Sequence, residues 1–410
     1  MDWKNRLPFW LTMAAVLAVL ASTAAYNILI ALAFAALLFS DEKLKLPPIR
    51  WPLGLFMAGT VISLLLSGHI AEGRPAIRKF YLFLIVLLVT STFRRLEEAR
   101  WLILGLCSVM TLSAVDGFVQ FFDKMGEAAA LHRGFYEYYT PSRITGFMSH
   151  WMTLGGEEMM VLLMGAALVF FAPARDRAKP WVVASLLVVV ASLLVGYTRS
   201  IWLGTAVGCV YLIWMWKRWW VLALPVLGTA IVLFNPFGLG ERTRSIYAPH
   251  GDTDSNQFRY VCRRTGWEMI KAHPLFGLGP EQVKAQFDSY VPADIPRPLP
   301  SGWYGHLHNI YYHFAAERGI PTLLAFLWLV GQMLWDFWRG LARLPQEAGL
   351  ERAVLFGAIA VIMSMLAEGY YEYNFGDGEP LFLFLAIASC GYLALGERQP
   401  EQSRSLVSLG

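Results

Sequence analysis

The chain has 410 residues, of which 56% are hydrophobic and only 16% are charged. A soluble domain of this size would carry more charge, so the composition excludes an ordinary soluble enzyme and indicates a membrane protein. The apolar runs are long and continuous, whereas a transmembrane β-barrel would show weaker segments of about ten alternating residues. We therefore predict an all-α, polytopic integral membrane protein.

About twelve apolar segments are long enough to span a membrane. The predicted spans are residues 8–22, 24–40, 51–67, 77–92, 101–121, 152–171, 181–197, 201–216, 219–235, 309–338, 351–367 and 379–396. The first two are short and are divided at Ser22–Thr23. Residues 1–235 thus hold the first nine spans, 236–306 one large extramembrane loop with amphipathic helices, 307–398 the last three spans, and 399–410 a tail.

Lysine and arginine are distributed unevenly between the short loops on the two sides. Most lie on one side, whereas the opposite short loops hold only Arg74, Arg78, Lys79 and Arg199. Because basic short loops stay in the cytoplasm, both termini are expected to be cytoplasmic and the large loop to face outward. All 8 histidines then fall on the outer side or just inside it, so any chemistry is expected there.

The stretch 301–324 contains His306, His308 and His313 at the mouth of an apolar segment. Ionisable groups at such a boundary are costly to desolvate, so they suggest function. Asn309 is a suitable helix N-cap, which places His308 at the positive end of a helix dipole, where phosphates bind and imidazole stays neutral. A neutral imidazole can accept a proton from a hydroxyl. The alternative is three interfacial histidines that only form hydrogen bonds.

Several outward-facing arginines are candidates for binding an anion. Arg74 and Arg78 are four residues apart and share a helix face, and Arg199 is alone in a tight hairpin. Such a charge must contact water, a lipid phosphate or a substrate anion, and interfacial snorkelling is the alternative. Arg143 and His150 are candidates for lining a cavity, or else for plain contact with lipid headgroups.

The large loop contains a predicted helix that begins at Ser255 or Asn256 and ends at His273–Pro274. Arg259, Arg263, Trp267 and Ile270 recur on one of its faces, which could lie on the membrane over a cavity or have no catalytic role. Basic and acidic residues are nearly balanced in this loop, so we expect no nucleic-acid partner.

A second outer connection, residues 368–379, is acidic. It carries Glu368, Glu372, Asp377 and Glu379 and no basic residue. These carboxylates could orient the histidines or pair with an outer arginine, and the alternative is a solvated loop.

Three stretches together resemble the superfamily of O-antigen ligases and polymerases of the bacterial envelope. The His-Asn motif followed by Glu-x-Gly appears as His308–Asn309 and Glu317–Arg318–Gly319. The family's Arg four residues before a Trp, upstream of a glycine-containing turn, appears as Arg263, Trp267 and residues 274–279. The family's Arg in a short outer turn appears as Arg199, followed by Trp202 and Gly204. A second glycine is often found where Ile320–Pro321 follows Gly319 here.

The resemblance implies a GT-C-like glycosyltransferase in the bacterial inner membrane, with its active site facing the periplasm. It would transfer a glycan from undecaprenyl pyrophosphate to a hydroxyl of lipid A–core. We assign His308 as the general base and Arg199 and Arg263 as pyrophosphate clamps. Further candidates for substrate binding are His306, Arg264, Arg74, Arg78, Asn309, Tyr311 and Asp377. The arginines are expected to replace the divalent ion of many glycosyltransferases, so we expect neither a metal nor another cofactor. The expected partners are the lipid-linked donor, the acceptor and membrane lipids.

Other functions stay open at the level of sequence. A Wzy-type polymerase uses the same donor with a glycan acceptor, and a protein O-oligosaccharyltransferase is a third relative. A lipid-linked oligosaccharide flippase would be expected to carry ionisable groups near mid-membrane, and the predicted spans are nearly free of them.

Overall fold

The computed structural model describes residues 3–248 and 256–396. Within these two ranges every regular element is helical and no strand occurs, which confirms the prediction of an all-α chain. Ser255, one of the two predicted helix caps, and the predicted tail 399–410 lie outside the described residues. The α-helices are α1 (Trp3–Ala18), α2 (Thr23–Leu38), α3 (Arg50–Ser67), α4 (Ile70–Arg78), α5 (Leu84–Thr92), α6 (Leu96–Ala130), α7 (Phe135–Tyr139), α8 (Trp151–Phe171), α9 (Lys179–Val195), α10 (Arg199–Lys217), α11 (Ala223–Phe234), α12 (Leu239–Arg244), α13 (Asn256–Ala272), α14 (Gln282–Gln286), α15 (Ile310–Arg318), α16 (Ile320–Arg343), α17 (Gly349–Glu368) and α18 (Gly378–Gly396).

Eight helical segments of the described chain are long and apolar enough to cross a membrane. Two of them join neighbouring helices through a short 3-10 turn, namely α4 with α5 and α10 with α11. The apolar helices α2 and α9 are shorter. The chain is therefore a polytopic helical membrane protein, and twelve spans with outward loops stay a prediction.

The division between the first two predicted spans is confirmed. Helix α1 ends at Ala18, and α2 begins at Thr23 with the Ser22 hydroxyl accepting a hydrogen bond from the backbone N–H of Ala25. Ser22 is a favoured N-cap residue because its side chain satisfies a backbone donor that has no partner in the first helical turn.

The predicted continuous span 309–338 is wrong, because α15 ends at Arg318 and α16 starts at Ile320. Gly319 between them has φ 83° and ψ 162°, a conformation that only glycine adopts readily. The backbone N–H of Ile320 donates to the carbonyl of Pro274, so a turn of the large loop occupies the break.

The expectation that the spans are nearly free of ionisable groups has an exception in α8. Glu157 and Glu158 are buried there, and Glu368 is buried at the end of α17. Helix α8 packs against α17, α9 and α10 and is largely enclosed, so these carboxyl groups lie inside the helix bundle.

The large loop packs above this bundle through a smaller apolar cluster of its own. Phe258 and Cys262 of α13 belong to it, together with Leu307, just before α15, and Ala316 within α15. Helix α13 thereby lies against α15, which brings the predicted arginine face and the predicted histidines into one region.

Candidate active site

The segment that precedes α15 is held in one conformation by hydrogen bonds. Asn309 is the N-cap, since its side-chain oxygen accepts from the backbone N–H of Tyr312, as predicted. Its Nδ2 donates to the carbonyl of Tyr370, and the N–H of Ile310 donates to the carbonyl of Gly369. The start of α15 is therefore tied to the connection between α17 and α18.

That connection places the carboxylate of Glu372 beside His308. The Nδ1 atom of His308 lies 3.1 Å from Oε1 of Glu372. Burial alone would raise the pKa of Glu372, but His308, His306 and Arg259 together hold that pKa well below its usual value. Glu372 is therefore an anion that fixes the orientation of the imidazole and favours the tautomer with the proton on Nδ1.

In that tautomer the Nε2 atom of His308 is free to accept a proton. Nε2 lies 3.4 Å from the carbonyl oxygen of Trp303, a contact that becomes a hydrogen bond only when the ring is protonated. His308 also has φ 46°, the left-handed region that non-glycine residues seldom adopt. Such strained backbone is common at functional sites.

His306 lies against His308, with ring centroids 4.0 Å apart. Its Nδ1 accepts from the backbone N–H of His308, so the proton of the neutral ring is on Nε2. Burial and the neighbouring charge of His308 lower its pKa well below the usual value. His306 is therefore a neutral positioning group in this geometry.

His306, His308 and Glu372 are also the residues that could hold a metal ion, because their ligand atoms lie within 4.8 Å of one another. The fit is poor at His306, whose Nε2 carries the proton while Nδ1 accepts from the backbone. Arg259, with Nη2 3.6 Å from Oε2 of Glu372, already supplies a positive charge to this cluster. No step of the chemistry below is routed through a metal.

Four arginines from different segments interact electrostatically, and one of them, Arg259, contacts Glu372 of the histidine cluster. Burial and the charges of Arg242, Arg259 and Arg199 lower the pKa of Arg143 to about 9. Burial also lowers the pKa of Arg259. Like charges brought together in a buried region repel one another, so this arrangement creates a strong site for a multivalent anion.

Each of the other three arginines donates hydrogen bonds to oxygen atoms of neighbouring segments. Arg199 donates to the side chains of Ser245 and Asn256, Arg143 to the carbonyl of Thr140 and the hydroxyl of Thr198, and Arg242 to the carbonyl of Tyr197 and the hydroxyl of Tyr136. Such bonds fix the orientation of the guanidinium groups, which can bind an anion through their N–H groups.

His150, predicted to line a cavity with Arg143, belongs to the same region. Its Nδ1 caps α8 by accepting from the N–H of Met152, and the Arg143 guanidinium lies 5.3 Å from the ring of the adjacent Trp151. Burial lowers the pKa of His150. The charge of Glu372 raises this pKa, and the charge of Arg143 lowers it.

The structure places the other predicted residues in several different environments. Arg74 and Arg78 are exposed on α4, and Arg264 is held on the surface by Asp294 and Tyr260. Arg263 is partly buried on α13, one turn beyond Arg259, and Arg259 is the residue that contacts Glu372. The hydroxyl of Tyr311 donates to the carbonyl of Leu366. Burial and repulsion from Glu372 raise the pKa of Asp377 to about 7.

The sequence patterns did not select Arg259 or Glu372 as site residues, although both residues lie in stretches that these patterns pointed to. Arg259 was part of the predicted arginine face, and Glu372 was one of four acidic residues in the predicted loop. The spacing within α13 cannot show whether Arg259 or Arg263 will contact the separate loop that carries Glu372.

The Glu-x-Gly motif and the glycine turn fit together as one structural unit. The N–H groups of Leu278 and Gly279 donate to the carbonyls of Ala316 and Glu317, and the N–H of Glu281 donates to the Glu317 carboxylate. A Cβ at Gly277 would lie 2.2 Å from the carbonyl carbon of Glu317, so glycine is required for this close approach. In this structure the turn serves to pack the large loop against α15.

These features define a polytopic helical membrane protein with a partly buried His–Glu pair beside a cluster of arginines. In a comparison with known families, residues 182–327 match the O-antigen ligase family, Wzy_C. The match confirms, over that part of the chain, the resemblance drawn from the motifs. The matched segment includes Arg199, Arg259 and His308, and Glu372 lies beyond it. A search of curated proteins found no match.

Proposed function

We propose that this protein is an O-antigen ligase. It transfers a glycan from undecaprenyl pyrophosphate to a hydroxyl of lipid A–core at the periplasmic face of the bacterial inner membrane. The observation that carries the proposal is the His308–Glu372 pair, 3.1 Å apart and adjacent to a buried arginine cluster. A base for a hydroxyl and a cationic site for pyrophosphate are the two groups that such a transfer needs.

The reaction is balanced with these residues alone. The acceptor hydroxyl gives its proton to Nε2 of His308 while its oxygen forms a bond to the anomeric carbon of the donor sugar. The bond from that carbon to the pyrophosphate oxygen breaks, and the electron pair leaves with the lipid pyrophosphate. Glu372 stabilises the imidazolium that results, and the arginines stabilise the charge that develops on the leaving group.

The geometry favours Arg259 over Arg263 as the second clamp beside Arg199. Arg259 contacts Glu372, and its charge acts on the buried Arg143, so an anion bound by Arg259 would lie next to His308. Arg263 is one helical turn away on α13. We keep Arg199 in the clamp, because its hydrogen bonds to Ser245 and Asn256 hold it at the start of α13.

The ligase and the polymerase differ in the acceptor. Purified protein should be given lipid-linked glycan with and without lipid A–core, and the products should be separated by size. A ligase forms a lipid A–core conjugate only when the acceptor is present, whereas a polymerase lengthens the donor glycan without it. Failure of both reactions, in protein shown to be folded, would refute the proposed transfer.

A further inference from the structure

A narrow cleft, partly open to its surroundings, lies between α3, α4, α15, α16 and α18 and has a cavity volume of about 40 Å³. Its walls are aromatic and aliphatic, and Leu329, Val330 and Phe384 form part of them. The charged residues that line it are Lys79 and Arg318, both basic. The cleft therefore combines an apolar body with a cationic end.

Arg318 is buried in this cleft, with 7% of its surface exposed. Its guanidinium carbon lies 4.4 Å from the ring centroid of Phe314 and 5.3 Å from that of Phe56. Its Nε has no hydrogen-bond partner among the described residues. A buried charged N–H group without an acceptor is costly, so the Nε of Arg318 indicates an anion that is supplied from outside the chain.

The carboxylate nearest to Arg318 is already engaged by other groups. Oε2 of Glu317 is 3.8 Å from Nε of Arg318, too long for a hydrogen bond. Oε1 of Glu317 lies 3.2 Å from Nε2 of His313 and accepts from the N–H of Glu281 at 2.7 Å. Lys79 donates to the carbonyl of Gly376, a neutral acceptor. The positive charge at this end of the cleft is therefore only partly compensated.

The cleft is separate from the arginine cluster at His308. Tyr373 stands between them, with its ring centroid 5.4 Å from that of His306 and 6.0 Å from that of Phe314. The wall formed by α16 and α18 belongs to segments long and apolar enough to span the membrane. An occupant must therefore satisfy a buried cation and apolar walls together, which a small hydrophilic anion does not.

We propose that this cleft binds the anionic, phosphate-bearing end of a lipid. Its phosphate contacts Arg318 and Lys79, and the first part of its chain lies along α16 and α18. Arginine binds phosphate through two parallel hydrogen bonds, and the chain replaces water against the apolar walls. The proposal does not depend on the transfer reaction. The lipid comes either from the bilayer, as an anionic phospholipid, or from the polyprenyl phosphate carriers.

Native mass spectrometry of the purified protein in detergent tests this proposal. Phosphatidylglycerol, phosphatidylcholine and undecaprenyl phosphate are added separately and then in competition. We expect an anionic lipid to bind in preference to phosphatidylcholine. We also expect Arg318→Gln to weaken that binding about tenfold, the order of one hydrogen bond to a charged group. The matched control is Arg133→Gln, which removes an exposed arginine just after α6.

The competition identifies the source of the lipid. Stronger binding of undecaprenyl phosphate indicates the carrier, and stronger binding of phosphatidylglycerol indicates the bilayer. A second variant, Ala76→Leu, narrows the cleft while Arg318 is kept, and it should also reduce binding. Equal retention of anionic lipid by the wild type, by Arg318→Gln if it folds, and by Ala76→Leu would overturn the proposal. Arg318 would then be satisfied by the two phenylalanine rings and Glu317.

Discussion

Nδ1 of His308 lies 3.1 Å from Oε1 of Glu372, although 64 residues separate the two in the chain. The pair joins the start of α15 to the connection between α17 and α18, and the hydrogen bonds of Asn309 and Ile310 fix the same junction. His308 therefore has a defined ring orientation before any substrate binds, as a general base requires.

Replacement of Glu372 by glutamine should reduce transfer by about one to three orders of magnitude. The amide still accepts a hydrogen bond but no longer stabilises a protonated imidazole. The rate–pH profile, with kcat measured from about pH 5 to 9, should also lose its wild-type shape on the acidic side. Glu281→Gln, at an exposed carboxylate, is the control. An unchanged profile with a normal rate would show that Glu372 does not act on the base.

The two adjacent histidines should respond differently to substitution. His308→Ala should reduce transfer by about two to four orders of magnitude, the usual contribution of a general base, while the donor still binds. His306→Ala should reduce transfer by less than His308→Ala does. Burial and the hydrogen bond from the backbone N–H of His308 keep the His306 ring neutral. Measurement of kcat and of donor affinity separates the two effects. If His306→Ala abolished transfer and His308→Ala did not, the two roles would have to be exchanged.

Local patterns predicted the elements that depend on neighbouring residues. The all-α class, the break at Ser22–Thr23, the cap at Asn309 and the end of α13 just before His273–Pro274 all follow from apolar runs, capping residues and a proline. The broken span at Gly319 was missed although Gly319 and Pro321 are local signals of a helix end and a new helix start. The contact with Pro274 that fills the break is some 45 residues earlier in the chain and could not be predicted locally.

The candidate site also depends partly on local patterns and partly on contacts between distant parts of the chain. The sequence placed His308, Arg199 and an acidic loop on one side, but the choice of Glu372 and of Arg259 depends on how α13 packs on α15. That packing is set by the apolar cluster around Cys262 and Leu307, which no spacing within one helix reveals.

The arginine assignment can be tested by lysine substitutions, which keep the charge and remove the bidentate guanidinium. Arg259→Lys and Arg199→Lys should each reduce transfer by about tenfold or more, and Arg263→Lys should have a smaller effect. Arg297→Lys is the control, because Arg297 is paired with Asp288 on the surface. Transfer rates and the apparent affinity for the donor should be measured. A larger loss for Arg263→Lys than for Arg259→Lys would restore the assignment made from the sequence.

Asp377 should make the stability of the protein depend on pH. Burial and Glu372 raise its pKa to about 7, so the folded state favours the protonated carboxyl. Its stabilising contribution is complete below the unfolded pKa of about 4 and is lost as the pH rises through about 7. Asp377→Asn should therefore raise the thermal midpoint by a few degrees at about pH 8.5 and change it little at about pH 4.

Asp294→Asn, at an exposed ion pair, is the control for this comparison. The measurement is thermal unfolding of the purified protein in detergent at the two pH values. Equal shifts for Asp377→Asn at both would show that Asp377 is ionised throughout.

Gly319 should be the position in α15–α16 that is least tolerant of alanine. With φ 83° and ψ 162° its backbone is in a region that is almost exclusive to glycine, and an added Cβ would lie 2.0 Å from the carbonyl oxygen of Leu275. Gly319→Ala should destabilise the protein by about 1–3 kcal/mol or more and separate the loop turn from the start of α16.

Gly331→Ala is the matched control, because Gly331 lies within α16 with no atom within 4 Å of the added Cβ, and alanine favours a helix by about 0.5–1 kcal/mol. The midpoint temperature of thermal unfolding and the transfer activity should both decrease for Gly319→Ala, and both should stay normal for Gly331→Ala. Similar behaviour of the two variants would mean that the turn at residues 274–279 can move away without loss, and that the glycine is not needed to hold the large loop against α15.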